Sequence, residues 1–244
     1  MSNLDEKVRN GHETLNLCPP GHPERSRALV MLAYDLHTRF KRLSRIEDLE
    51  DAISSLREAL TLCPPGHPNR YHSLHNLGAA LQVRFGQSSR IEDLENAMSS
   101  YHEALTLCPP EHPIRSYSLT YLGTALRIRF HQLGRIEDLE DAISSYREAP
   151  TLRPPGHPNR PYSLSCLGNA LKIRFDQLGQ IEDLEDAISA QREALTLCPP
   201  GHPIRSHSLI DLGTALRTRF EHTRSPSSRP PESFQVPQHP RHYS

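Results

Sequence analysis

The 244-residue sequence has no excess of charge of either sign, no long apolar run and no cluster of glycines. Because 28 Lys and Arg residues balance 29 Asp and Glu residues, a strongly basic nucleic-acid-binding protein is excluded. No apolar run approaches the roughly 18 residues of a membrane span, and the start lacks the apolar region of a signal peptide. The scattered glycines form no phosphate-binding loop. Five scattered cysteines predict reduced thiols and a cytoplasmic protein.

Proline is the residue in excess, at 22 of 244 residues, where about 5% is usual. Fifteen of these prolines lie in five copies of Pro-Pro-x-His-Pro, which begin at positions 19, 64, 109, 154 and 199. Each step is therefore 45 residues long. A fixed period of roughly 20–50 residues predicts a stack of structural repeats.

Between these loops, each repeat contains two amphipathic helical patterns. In the repeat that starts at Tyr71, the first pattern, helix A, has apolar positions at helical spacing: Leu74, Leu77, Gly78, Leu81 and Phe85. The second pattern, helix B, has them at Ile91, Leu94, Met98, Tyr101 and Leu105. Carboxylates occupy the first turn of helix B, where the helix dipole favours them, and prolines follow its end. Neither helix can bury its stripe alone, so the sequence predicts an all-α fold, an α-solenoid of stacked antiparallel helix pairs.

These residues resemble the tetratricopeptide repeat (TPR), whose pattern is W-x2-L-G-x2-Y, then A-x3-F, then P. The repeat reads Leu74-x2-Leu77-Gly78-x2-Leu81, then Ala97-x3-Tyr101 with Ala104, then Pro109. The 45-residue length is similar to the kinesin light chain type, since the usual TPR has about 34 residues. The amino-acid sequence of the repeats resembles that of fungal TPR arrays that accompany CHAT protease-like domains or NTPase modules. The resemblance covers residues 4–220, and it implies a right-handed superhelix in which helices A line a concave peptide-binding groove.

The repeats predict three parts of the chain. Residues 1–25 are a degenerate half-repeat of helix B and loop, and residues 26–220 are the TPR-like array with a final unpaired helix A. Residues 221–244, rich in Pro, Ser, Arg and His, are a disordered tail. Either the chain is a fragment of a longer array or its final helix serves as a cap. In the fourth repeat, Pro150 is predicted to end helix B a turn early.

The copies of helix A vary at a second set of positions beside the fixed apolar stripe. A binding groove would show such variation, as would drift at exposed positions. We call this set the helix-A stripe, and it consists of Tyr34, His37, His72, His75, Gln82, Tyr117, Thr120, Tyr121, Arg127, Tyr162, Asn169, Lys172, His207, Asp211 and Arg217.

The composition of the helix-A stripe predicts a mildly basic groove that contains aromatic rings and prefers an acidic or polar extended peptide. The bases Arg127, Lys172 and Arg217 outnumber the acid Asp211. A fixed arginine near the end of helix A, such as Arg84, has two interpretations: it adds charge to the groove, or it pairs with the carboxylates of helix B.

No pattern in the sequence predicts a metal, cofactor or catalytic site. Cys-x3-His recurs in four of the five loops, but each loop offers two ligands where tetrahedral zinc needs four, and neighbouring repeats lie too far apart to share one. The loop Cys is expected to pack beneath the turn, and the loop His to cap or solvate it. Cys166 lacks the orienting groups of a nucleophile, and the repeated carboxylates are explained by the helix dipole.

The sequence therefore predicts a non-catalytic interaction scaffold that binds a protein or an extended, acidic peptide on the concave helix-A surface. No nucleic-acid or membrane partner and no cofactor is expected. Two alternatives stay open. One is a detached regulatory or sensor arm of a larger signalling protein, a CHAT protease or an NTPase. The other is a homotypic unit that assembles end to end through exposed array ends.

Overall fold

In a computed structural model of the chain, the described residues are 3–67, 69–154 and 156–224, and residues 225–244 of the predicted tail lie outside them. Within these ranges the regular structure is entirely α-helical. The helices are α1 (Asn3–Asn16), α2 (Arg25–Leu43), α3 (Ile46–Leu62), α4 (Arg70–Ser88), α5 (Ile91–Leu107), α6 (Pro113–Leu133), α7 (Ile136–Thr151), α8 (Arg160–Leu178), α9 (Ile181–Thr196) and α10 (Arg205–Arg224). None of them is both long enough and apolar enough to cross a bilayer.

The helices pack in consecutive pairs within each of two compact units, residues 1–125 and 126–244. In the first unit, each of α1 to α4 packs against the helix that follows it, and α2 also contacts α4. In the second unit, α7 to α10 pack in the same consecutive way, and α8 contacts α10. The predicted all-α fold of stacked helix pairs is confirmed.

Helix A is α2, α4, α6, α8 or α10, and in the first four a two-residue link joins it to the helix B that follows. The first link residue is left-handed, with φ near +54° at Ser44 and +70° at Gly179. Its N–H donates to the carbonyl of the helix-A phenylalanine, from Ser44 to Phe40 for example. The second link residue is extended and starts helix B. Such a short link reverses the chain, which makes each helix pair antiparallel.

A buried ion pair joins helix A to helix B in four repeats. In the second of them, Arg84 donates from Nε to Asp93 Oδ2 at 2.9 Å and from Nη2 to Oδ1 at 2.6 Å. The equivalent pairs are Arg39 with Asp48, Arg129 with Asp138 and Arg174 with Asp183. The interpretation that the fixed arginine pairs with helix B is confirmed. The helix dipole alone does not explain these carboxylates, because the aspartate is buried and accepts both arginine donors.

A second arginine closes each loop. Arg70 donates from Nη1 to the carbonyls of Leu60 and Cys63, at 3.1 and 2.6 Å, and from Nε to Glu103 at 2.6 Å. The last carbonyls of a helix have no partner within that helix, so this arginine caps helix B. The loop histidine bonds within its own turn, because His67 Nδ1 accepts the backbone N–H of Asn69, the residue before α4. The loop cysteines Cys18, Cys63, Cys108 and Cys198 are buried, as expected.

Two helix ends differ from expectation. Helix α7 continues through Pro150 to Thr151, so the prediction that it ends a turn early is wrong. A proline in the last turn removes a single backbone donor, and the Pro150 carbonyl accepts Arg160 Nη1 at 2.6 Å. Helix α10 extends through residues 221–224 of the predicted tail, where Glu221 lies 3.8 Å from Arg217 one turn earlier.

The buried ion pair predicts a specific loss of stability. Replacing Asp93 by Asn leaves the mostly buried Arg84 with the exposed Glu50, 2.8 Å from its Nη1, as its one remaining carboxylate among the described contacts. We expect the free energy of unfolding to fall by about 2 kcal/mol, because the buried bidentate contact is lost. Glu92→Gln, at an exposed acid in the same turn, serves as the control and should cost less than about 0.5 kcal/mol. Urea denaturation followed by circular dichroism measures both. Equal effects of the two substitutions would show that the pair does not stabilise the helix hairpin.

Candidate partner-binding surface

The helix-A stripe lies on α2, α4, α6, α8 and α10, and its members differ in exposure. Most are half-buried. Tyr34, Tyr162, His207 and Arg217 are exposed, while His75 and Thr120 are buried. The Thr120 hydroxyl donates to the carbonyl of Ser116 on its own helix. The two buried residues therefore support the surface from below.

In the first unit, the structure brings stripe residues together in a cluster of aromatic and imidazole rings. We call it the ring cluster, and it consists of Tyr71, His72, His75, Tyr101, His112, Tyr117 and Tyr121. The His75 ring is at the centre of the cluster. Its centroid lies 5.9 Å from the ring centroid of Tyr101, 5.6 Å from that of Tyr121 and 6.5 Å from that of Tyr117. Tyr101 and Tyr121 stack with ring centroids 6.1 Å apart.

Hydrogen bonds fix the interior of the ring cluster. His75 Nδ1 lies 2.9 Å from the hydroxyl of Ser118, and the Tyr101 hydroxyl donates to Gln82 Oε1 at 3.1 Å. Gly78 permits this packing, because a Cβ at that position would lie 2.7 Å from the Tyr101 ring. Since Tyr101 and His75 are buried while Tyr117 and Tyr121 are half-buried, an ordered interior supports a partly exposed aromatic surface.

One end of the ring cluster lies at the start of α4. It consists of Tyr71 and His72 of that helix and of His112. Tyr71 lies 4.4 Å from His72 and 5.0 Å from His112, and the two histidine rings meet edge to face at 5.4 Å. His112 belongs to the loop that precedes α6, so the ring cluster includes a loop residue that the pattern of helix A alone did not indicate.

Burial keeps the cluster's α4 histidines uncharged. It lowers the pKa of His75 to about 4, with the neighbouring His72 as a second cause. Burial also lowers the pKa of His72, and His112 adds to that shift. Helices α4 and α6 contain no Asp or Glu. The α4 side of the surface therefore presents neutral imidazoles at neutral pH.

The low pKa of His75 predicts a pH dependence of stability. Between about pH 6.5 and 4, the unfolded chain binds a proton that folded His75 excludes, so stability falls as the pH falls through this range. His75→Thr places the residue of the next repeat, Thr120, at this position and removes the titration. Relative to its own value at pH 7, the wild type should lose about 2 kcal/mol more than the variant at pH 5. Urea titrations at several pH values measure this.

His102→Thr, at an exposed histidine on α5, serves as the control for that experiment. The control should keep the pH dependence of the wild type. If His75→Thr also kept it, the titration of His75 would not contribute to the acid sensitivity of the fold.

On α2, Tyr34 is exposed while His37 is half-buried, and His37 Nε2 has no hydrogen-bond partner among the described atoms. Burial lowers the pKa of His37 to about 4, and Lys41 adds to that shift. The equivalent residue on α4, Gln82, accepts the Tyr101 hydroxyl, whereas Leu56 at the tyrosine position of α3 has no hydroxyl to donate.

In the second unit, Gln191 of α9 reaches the stripe. Its Nε2 donates to the Ser165 carbonyl at 3.0 Å and to Asp211 Oδ2 at 3.4 Å. Burial raises the pKa of Asp211, although His207 and Arg127 partly oppose it. Asp211 is therefore held by an amide and by nearby bases.

Cys166 lies on the variable side of helix A, at the position that Tyr121 and Asp211 occupy in the neighbouring repeats. Burial raises the pKa of its thiol to about 11, which keeps it protonated at neutral pH. A thiol reacts as its thiolate, so the interpretation of Cys166 as a packing residue is supported. Among the described residues, no group of three or more His, Cys, Asp and Glu side chains could hold a metal ion.

The stripe's bases are more balanced by acids than its composition predicts. Lys172 Nζ lies 2.7 Å from both carboxylate oxygens of Asp176, and Arg217 Nε lies 3.8 Å from Glu221. Arg127 contacts His131 at 3.4 Å. Each of these neighbours lies four residues after the base on the same helix, a spacing that brings two side chains together. The sequence shows these neighbours, but none of them is a member of the helix-A stripe.

Helix B contributes residues that the sequence analysis missed. Tyr101 and Gln191 occupy equivalent positions of α5 and α9, opposite the small residues Gly78 and Gly168 of helix A. The sequence does indicate this position by its variation. Helix B carries Leu56, Tyr101, Tyr146 and Gln191 there, whereas the neighbouring positions stay nearly constant.

No protein-family model and no curated protein matches the chain. Solved structures do match, and they define the class as helical-repeat proteins with a TPR-like fold. One is the putative kinesin light chain with nearly identical TPR-like repeats from Podosopora anserina, at a TM-score of 0.59 and 18% identity over 84% of this chain and 92% of that one. Another is the TPR protein TTC0263 from Thermus thermophilus, at a TM-score of 0.58 and 16% identity over 88% of this chain and 91% of that one.

A third match is BtubC (BKLC) from P. vanneervenii, at a TM-score of 0.60 and 14% identity over 93% of this chain and 88% of that one. At these identities the similarity concerns the fold. The TPR-like fold that the repeats predict is thereby confirmed, whereas the association with CHAT domains stays a prediction.

Proposed function

We propose that the chain is a non-catalytic scaffold that binds a protein or an extended peptide on its helix-A stripe. A TPR-like fold serves in general as a platform for protein interactions. The observation that carries the proposal is the ring cluster, in which half-buried Tyr117 and Tyr121 rest on the buried rings of His75 and Tyr101. Tyrosine offers a large contact area and a polar group, and it is enriched where binding energy concentrates.

The order beneath the surface supports this proposal. Aromatic side chains that are already packed lose little conformational freedom when a partner binds, which favours affinity. The bonds from His75 to Ser118 and from Tyr101 to Gln82 hold the rings in place before any partner arrives. The protonated thiol of Cys166 is consistent with a binding role without chemistry.

The two units favour different partner groups. In the first, the uncharged histidines and tyrosines suit apolar or hydrogen-bonding parts of a peptide. In the second, Arg127, Lys172 and Arg217 suit carboxylates, although Asp176 and Glu221 compete for two of these bases. The acidic character of the partner, the cytoplasmic location, the regulatory-arm alternative and the end-to-end alternative stay predictions.

A double substitution tests the ring cluster. Tyr117→His with Tyr121→Asn introduces residues that the α4 repeat carries at these positions, His72 and Asn76, so the fold should persist. We expect at least about a tenfold loss of captured partner, because two aromatic contacts are worth more than about 1.4 kcal/mol. Quantitative mass spectrometry of pull-downs measures the loss. His102→Ala with Glu95→Gln on helix B is the control, and equal capture by both variants would contradict the proposal.

Charge reversal tests the second unit. Arg127→Glu, Lys172→Glu and Arg217→Glu together should weaken binding of a captured acidic partner by at least about tenfold and reduce its salt dependence. The matched control reverses three exposed helix-B arginines, Arg57, Arg147 and Arg192. Titration by fluorescence anisotropy at two salt concentrations measures both. Unchanged binding in the stripe variant would reject the preference for acidic partners and leave the role of the ring cluster standing.

A further inference from the structure

One side of helix α10 is exposed where the same side of every inner helix A is buried. Leu209 is 50% exposed, whereas its equivalent Leu164 on α8 is 4% exposed. Phe220 is 57% exposed, whereas Phe175 is 8% exposed. We call this side the α10 face. Its exposed members are Leu209, Gly213 and Phe220, while Leu216 beside them packs against the cluster around Phe175. It is separate from the stripe residues His207, Asp211 and Arg217 on the same helix.

The inner repeats show what covers this face. On α8, Phe175 packs against Leu184 and Ile188 of α9, the helix B of the same repeat. Gly168 meets Gln191 so closely that a Cβ would lie 2.8 Å from the Gln191 amide nitrogen. At Gly213 of α10, an added Cβ would meet no atom within 4 Å. The α10 face therefore has the shape of a helix-A surface from which helix B is missing among the described residues.

The charge on this face points to the same occupant. In α8, Arg174 forms two hydrogen bonds with Asp183, the third residue of helix B. The equivalent Arg219 of α10 contacts Glu185 of the preceding helix B at 3.2 Å. The residue nine positions after Arg219 is Ser228, which carries no carboxylate. An incoming helix with an aspartate at its third position would therefore complete the ion pair that the inner repeats form.

We propose that the α10 face binds an amphipathic helix of a partner protein that carries the helix-B pattern Ile-x-Asp-Leu-x2-Ala-[Ile/Met]-x2-Tyr. Residues 225–244 lack this pattern and contain five prolines. A second copy is a poor source, because the apolar residues of its helices α3, α5, α7 and α9 are buried. Helix α1 has Asn3 and Gly11 in place of the aspartate and the tyrosine. This proposal does not depend on the function of the helix-A stripe.

The test uses a labelled peptide with the sequence of residues 91–107, titrated with the full chain and followed by fluorescence anisotropy. We expect saturable binding. Asp93→Asn in the peptide and Arg219→Gln in the chain should each weaken it by about tenfold, because each removes a charge-assisted pair. Gly213→Leu should abolish it, since the new side chain occupies the space of the peptide tyrosine. Gly86→Leu, at an equally open helical glycine on α4, should leave it unchanged.

Three results would overturn the proposal. The first is the absence of saturable binding to the wild-type chain. The second is that Gly213→Leu and Arg219→Gln both bind the peptide as tightly as the wild type does. The third is a different occupant. Displacement of the labelled peptide by a peptide of residues 225–244 would assign the face to that segment. A wild-type dimer in light scattering that Gly213→Leu converts to a monomer would assign it to a second copy. Circular dichroism of each variant verifies that it is folded.

Discussion

The buried ion pair between helix A and helix B is the constraint on which the rest of each repeat depends. The apolar stripes are narrow, and apolar contact is not directional, so burial alone does not fix how two helices align. A bidentate pair such as Arg84 with Asp93 does fix it, because both side chains are mostly buried and neither tolerates the loss of its partner. The loop arginine then adds a second fixed point, since Arg70 joins the end of one helix B to Glu103 of the next.

These fixed points leave the helix-A stripe able to vary. The residues that hold the backbone in place lie on the side of helix A that faces helix B, so a change on the stripe leaves the ion pairs intact. The position of His75 illustrates this, because the following repeats carry Thr120, Ser165 and Ile210 there. A stack of this kind can change the surface chemistry of helix A from repeat to repeat at little cost to its fold.

The sequence was sufficient for the fold because its information is periodic. Five copies of the loop motif recur at the same 45-residue spacing, and the spacing of the apolar residues distinguishes helix A from helix B. The burial of individual stripe residues was not accessible in the same way. Whether His75 is buried depends on Tyr101, Tyr117 and Tyr121, which come from two other helices, and no local pattern reports such contacts. Pro150 failed as a helix terminator for a similar reason, because Arg160, the first residue of α8, donates to the Pro150 carbonyl.

The same backbone thus presents two kinds of chemistry. In the first unit, burial rather than a nearby charge sets the protonation of His75, so the imidazole stays neutral and the surface there offers aromatic rings and hydrogen-bonding groups. In the second unit, Lys172 and Asp211 remain close to solvent or to opposite charges, so the surface there offers charged groups whose interactions salt weakens. Under the proposed function, salt should therefore weaken binding at the second unit and leave binding at the first unit unchanged.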